Sequence, residues 1–148
     1  MSGFKSPSAA EAEFYRAFSE HDIPAMLALW DDADDIVCTH PMTAPLEGVA
    51  AVHESWSALL SAAEPMRFTP RVIQIYVGTP LVMHHLWEQI RFGPDLSQTS
   101  LVLATNAYRQ TASGWRMVLH HGSPPGNVRL DPPASAGATT PSSGRTVH

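Results

Sequence analysis

The chain is short of most things that would commit it to an extracellular, membrane or nucleic-acid role. It holds one cysteine, Cys38, which has no partner for an internal disulfide. Nine Lys and Arg stand against fourteen Asp and Glu, a formal net charge of −5. No basic stripe is left to neutralise phosphates or an anionic lipid surface. No uninterrupted apolar run approaches the roughly 18 residues needed to cross a bilayer, and no basic-then-apolar leader opens the chain. Also missing are a Gly-rich phosphate loop, a GxSxG elbow and the HxH or HExxH spacing of metal sites. These absences predict a soluble cytoplasmic protein with no cofactor and no metal, bound to neither nucleic acid nor membrane.

What is present fits one globular domain: 148 residues, 44% of them hydrophobic, can enclose a single core. The ends differ from the middle. Eleven of the last 25 residues are Pro, Gly or Ser and none is aromatic, so 124–148 reads as a disordered tail that cannot offset its own ordering entropy. Residues 1–7 read as an uncommitted N-terminus, leaving 8–123 as the folded unit.

Within that unit Ser8 and Glu11 have capping-box spacing, and Ala10, Phe14, Ala17 and Phe18 recur at helical intervals. A second helix follows from Asp22 as N-cap, with Ile23, Met26, Leu27 and Trp30 on one stripe. IVCTH, stopped by Pro41, reads as a short strand. Gly48 precedes a third helix carrying Val49, Val52, Trp56, Leu59 and Leu60. From Pro65 onward four strand-like segments follow, MRFTPRVIQIYVG, LVMHHLWEQIRF, TSLVLATNAYRQ and GWRMVLHHGS, with connections short enough to join antiparallel neighbours. LVMHHLW and LVLA are apolar on both faces. Helices can cover only one face, which predicts a homodimer through the outer face of the sheet.

This order, with FYRAFSEHDIPAMLALW, a strand ending in HP, LEG opening a helix, and a final GWRMVLHHGSP, resembles the SnoaL-like domains of the nuclear transport factor 2-like superfamily. The last segment is also similar to the closing strand of the calcium/calmodulin-dependent kinase association domain. The resemblance implies an α+β fold, a cone-shaped curved antiparallel sheet wrapped around three N-terminal helices. It also implies an internal pocket for a small molecule. In the ketosteroid isomerase branch a general-base Asp precedes a Pro at the end of the first strand, and His40 stands there before Pro41. Asn106 falls where that branch has an oxyanion-binding acid in the penultimate strand, and Trp56 matches a pocket aromatic from the third helix. The phenolic donor falls on Phe14, with Tyr15 adjacent.

His40 and Asn106 are therefore the candidate catalytic pair. An imidazole can accept or donate a proton at neutral pH, and an amide can orient a ligand carbonyl. Against this, His40 could bond to its own turn and Asn106 to a neighbouring strand. Trp30, Trp56 and Trp87 are candidates for a pocket wall, where tryptophan is otherwise simply core, and Tyr15 is a candidate ligand contact. Adjacent strand residues point to opposite faces, so only one of His120 and His121 faces inward. If Trp115, Met117 and Leu119 do, His121 does too, although the two could exchange places. The acidic residues Asp31, Asp32, Asp34 and Asp35 read as a solvated turn. Two functions remain open: a cofactor-independent acid/base enzyme of isomerase, cyclase, lyase or hydrolase type acting on a hydrophobic substrate, or a non-catalytic dimerisation module.

Overall fold

The computed structural model describes residues 3–126; the expected tail lies almost wholly outside that range. Three helices, α1 (Pro7–Glu20), α2 (Ile23–Leu29) and α3 (Val49–Ala62), are combined with six strands. These are β1 (Val37–Thr39), β2 (Leu46–Glu47), β3 (Met66–Tyr76), β4 (Leu81–Phe92), β5 (Gln98–Thr111) and β6 (Gly114–Ser123). They form one sheet in the order β2-β1-β6-β5-β4-β3. Every pairing is antiparallel except β1 with β6, which run parallel.

The N-terminus is more engaged than its composition suggests. Phe4 forms an antiparallel bridge with Trp115, and Gly3 N–H donates to the Ser113 carbonyl at 2.8 Å. The N-cap of α1 is Ser6, not Ser8: the Ser6 hydroxyl accepts from Ala9 N–H at 3.0 Å, and Pro7 takes the first turn, where its missing N–H costs nothing. Glu11 is thereby freed from any capping duty and turned inside. Asp22 caps α2 by accepting from Ala25 N–H at 3.2 Å. Leu46 and Glu47, expected to open the third helix, instead form β2 against β1, and Gly48 takes φ 86° to turn the chain into α3. Asp31 and Asp35 hold the Arg109 guanidinium from both sides, with closest approaches of 2.7 Å, which fastens the acidic turn to β5.

Helix α1 carries two inward stripes of different chemistry, each at i, i+4 spacing. Phe14 and Phe18 pack edge-on against Trp56 of α3, at centroid distances of 5.5 and 4.8 Å, and Phe18 lies 3.9 Å from Phe68 of β3. Such aromatic pairs contribute about 0.5–1.5 kcal/mol each beyond the area they bury. The other stripe, Glu11 and Tyr15, meets β4 and β5. The inward residues of β4 are Val82, His84, Leu86 and Glu88, and those of β5 include Val102, Ala104, Asn106 and Tyr108. One half of the core is thus aromatic hydrocarbon and the other is polar.

A β-bulge decides which histidine of β6 enters that core. Ala107 pairs with Leu119 but Tyr108 with Met117, so Val118 is the extra residue. Inward facing therefore passes from Met117 to His120 rather than to His121. His120 is 2% exposed, whereas His121 is on the solvent side.

Candidate functional site

His40 lies at the end of β1, where Pro41 and Met42 turn the chain. Thr43 N–H returns to the His40 carbonyl at 3.1 Å, and Met42 occupies the left-handed position at φ 67°. The half-buried ring packs edge-on to Trp56 at 4.9 Å and sits 6.5 Å from the His120 ring. Its Nε2 is 2.7 Å from the Ser55 hydroxyl of α3 and 3.7 Å from Cys38 Sγ. Burial lowers the His40 pKa below the usual histidine value, so the ring is neutral at pH 7. Burial also pushes the Cys38 thiol up to about 12, which leaves it inert packing.

Behind this ring runs a chain of buried polar groups. His120 Nδ1 lies 2.6 Å from Asn106 Oδ1, and Asn106 Nδ2 donates to the Tyr15 hydroxyl at 3.0 Å. Tyr15 in turn donates to Glu88 Oε2 at 2.6 Å. Glu11 Oε1 collects Tyr108 OH at 2.9 Å, His84 Nδ1 at 2.9 Å and the second Asn106 amide hydrogen at 3.4 Å. Burial shifts four of them, Glu88, His120, Tyr15 and Tyr108, away from their charged forms. Glu88 is raised to about 7, first by burial and further by the Glu11 carboxylate, against the Tyr15 hydrogen bond. His120 is lowered to about 3, first by burial and then by His40 and His121. Tyr15 and Tyr108 are held well above the ordinary phenol value, chiefly by burial and then by Glu88 and Glu11 respectively.

The candidates named from sequence are distributed unevenly. His40 and Trp56 meet, while Asn106 and Tyr15 lie deeper in the same network. Asn106 is fully buried with both amide hydrogens engaged, so it cannot donate to a ligand carbonyl and acts instead on His120. Trp30 is buried too, and it borders a cavity of about 670 Å³ with Leu27, His53 and Arg116, whose lining includes neither His40 nor Trp56. Trp87 stands between the inward Leu86 and Glu88 and so faces out of the sheet, as His121 does. Neither belongs to the interior wall.

Ser55, Glu11, Glu88 and Tyr108 were missed as site residues. The signal was available in part: Glu11 and Tyr15 share a helical stripe, and His84 and Glu88 share a strand face. Among the described residues no group of three His, Cys, Asp or Glu side chains is placed to hold a metal ion, and no helix is long and apolar enough to cross a membrane.

Comparison with known proteins places this geometry in a family. A protein from Thiobacillus denitrificans ATCC 25259, provisionally named a calcium/calmodulin-dependent protein kinase type II association domain, is 38% identical over 84% of this chain and 98% of its own, with a TM-score of 0.79. An NTF2-like protein from Streptomyces avermitilis, provisionally named a dehydratase, is 29% identical over 79% of this chain and 92% of its own, with a TM-score of 0.70. A ketosteroid isomerase-like protein from Erwinia carotovora atroseptica SCRI1043 shares the fold at 16% identity, covering 78% of this chain and 91% of its own, with a TM-score of 0.63. No curated protein matches. The SnoaL-like domain model matches residues 8–127, and the chain belongs to that family.

Proposed function

We propose that the protein binds a small hydrophobic molecule against Trp56 and transfers a proton on it with His40, without a cofactor, in a reaction of isomerase, cyclase, lyase or hydrolase type. The observation that carries this reading is the gathering of buried, hydrogen-bonded ionisable groups behind a half-buried histidine. Such clusters are costly to folding and concentrate at functional sites. In the tautomer whose Nε2–H donates to Ser55 Oγ, the lone pair of His40 lies on Nδ1, and Nδ1 is then the base. Fully buried Trp56 backs the His40 ring, and Asn106, itself bonded to Tyr15, holds His120 beside it. The likeness to a protein provisionally named a dehydratase supports the lyase form. The unpaired, buried thiol of Cys38 suits a reducing compartment such as the cytoplasm.

Proton abstraction can be followed before any product is known. Incubating the protein in D₂O with a panel of enolisable cyclic ketones and reading α-deuteration by NMR should show exchange above the buffer rate. His40→Ala should lower it by about 10²-fold, the usual scale of a positioned general base. Equal exchange in wild type and variant, or none above buffer, rejects the assignment.

A non-catalytic association module is the second reading. It is favoured by the apolar end of β3 and its turn, where Val72, Ile73, Ile75, Tyr76, Val77 and Leu81 are exposed. The 38% identical protein named as an association domain points the same way. A homodimer is compatible with both readings.

A further inference from the structure

The direction of each hydrogen bond in the buried chain can be fixed from its ends. The Asn106 Nδ2 group lies between the Tyr15 hydroxyl oxygen at 3.0 Å and Glu11 Oε1 at 3.4 Å, both acceptors. Rotating the amide would set its oxygen against a carboxylate, so the oxygen faces His120. An amide oxygen can only accept. His120 Nδ1, at 2.6 Å, must therefore carry a proton. In the neutral ring the lone pair then belongs to Nε2.

His120 Nε2 has no hydrogen-bond partner among the described residues. The polar side-chain atoms there that are both buried and unpartnered are His21 Nε2, Trp30 Nε1 and Trp56 Nε1. His120 as a whole is 2% exposed, so little of its ring meets solvent. The ring is packed 5.0 Å from Phe14, 5.9 Å from Trp56 and 6.5 Å from His40. A lone acceptor is thus set in an aromatic wall beside the reactive imidazole.

We infer that His120 is a tautomer-locked hydrogen-bond acceptor, and that the molecule bound beside His40 carries a hydroxyl or other donor that His120 Nε2 receives. This deepens the acid/base reading and rests on it for the location of the ligand. His120 is a specificity-determining residue, and Asn106 is the positioning residue that fixes its tautomer.

The test uses the full chain labelled with [¹⁵N]histidine, with the His120 signals assigned by their loss in His120→Phe. Without ligand, Nδ1 should be protonated and Nε2 bare, unchanged between pH 5 and pH 8. Phenol should then move the Nε2 signal saturably, while anisole, which lacks the O–H, should not. Phenol should bind about tenfold more tightly than anisole, the scale of one hydrogen bond. A protonated Nε2 in that pH range overturns the inference, as does a response that does not distinguish phenol from anisole. If the His120→Phe protein folds poorly, His120→Asn supplies the same assignment, and the wild-type spectra then decide the outcome. If phenol moves the His40 signals but not those of His120, this inference fails and the acid/base reading survives. A locked tautomer and a phenol response without any ketone exchange would reverse that outcome.

Discussion

Two buried residues pull the pH dependence of stability in opposite directions. Glu88 has its folded pKa raised to about 7 from an ordinary 4.5, so it stabilises the fold when protonated, and that contribution is lost as pH rises from about 4.5 through 7. His120 has its folded pKa lowered to about 3 from 6.5, so its contribution is present above about 6.5 and lost as pH falls toward 3. Between about 4.5 and 6.5 the two slopes cancel. Glu88→Gln removes one of them, and chemical denaturation of the variant should show stability rising by about 3 kcal/mol across that window, at 1.36 kcal/mol per pKa unit. A flat profile in the variant would mean that His120 does not titrate as its burial implies. At this scale the sequence was partly legible: His40 and Trp56 came from family resemblance, whereas Glu11 read as a capping residue and nothing singled out Glu88. Pairwise spacing within one element cannot reveal that polar groups from α1, β4 and β5 converge.

The elements themselves were more readable, because hydrophobic period and punctuation report on local conformation. Three helices and the four long strands stand where period and turn residues put them. The differences have local causes. Ser6 competes with Ser8 as a cap and wins because Pro7 is pre-organised for the first helical position. Ser6→Ala should therefore lower stability by about 1 kcal/mol in urea unfolding, while Ser8→Ala, at an exposed helical position, should change it little. The reverse order would restore the reading from sequence. The two residues of β2 carry too few positions for any period. The bulge at Val118 leaves no sequence mark, yet it exchanges His121 for His120 at the interior face.

At the scale of the whole molecule the sheet covers the helices on one side and presents a surface of its own on the other. Met83, His85 and Trp87 are only partly exposed there, but the end of β3 and the turn after it hold Tyr76 at 61% and Val77 at 85% exposure. A monomer rarely leaves so large an apolar strip in water. Light scattering on a size-exclusion column should find a homodimer, and the double variant Tyr76→Asp, Val77→Asp should shift it to monomer without altering the far-UV circular dichroism. A wild-type monomer at micromolar concentration would count against the docking face.

The same scale holds the central claim, that a cone with a polar interior offers His40, rather than its outer face, to a small molecule. The most direct measurement is a crystal structure of the protein purified without added ligand and then soaked with a ketone on which it exchanges deuterium. Density is expected beside the His40 ring, with an atom of the ketone within hydrogen-bond reach of His40 Nδ1. A ketone bound only in the cavity beside Trp30, or on the outer sheet, with His40 still packed among protein atoms, would contradict it.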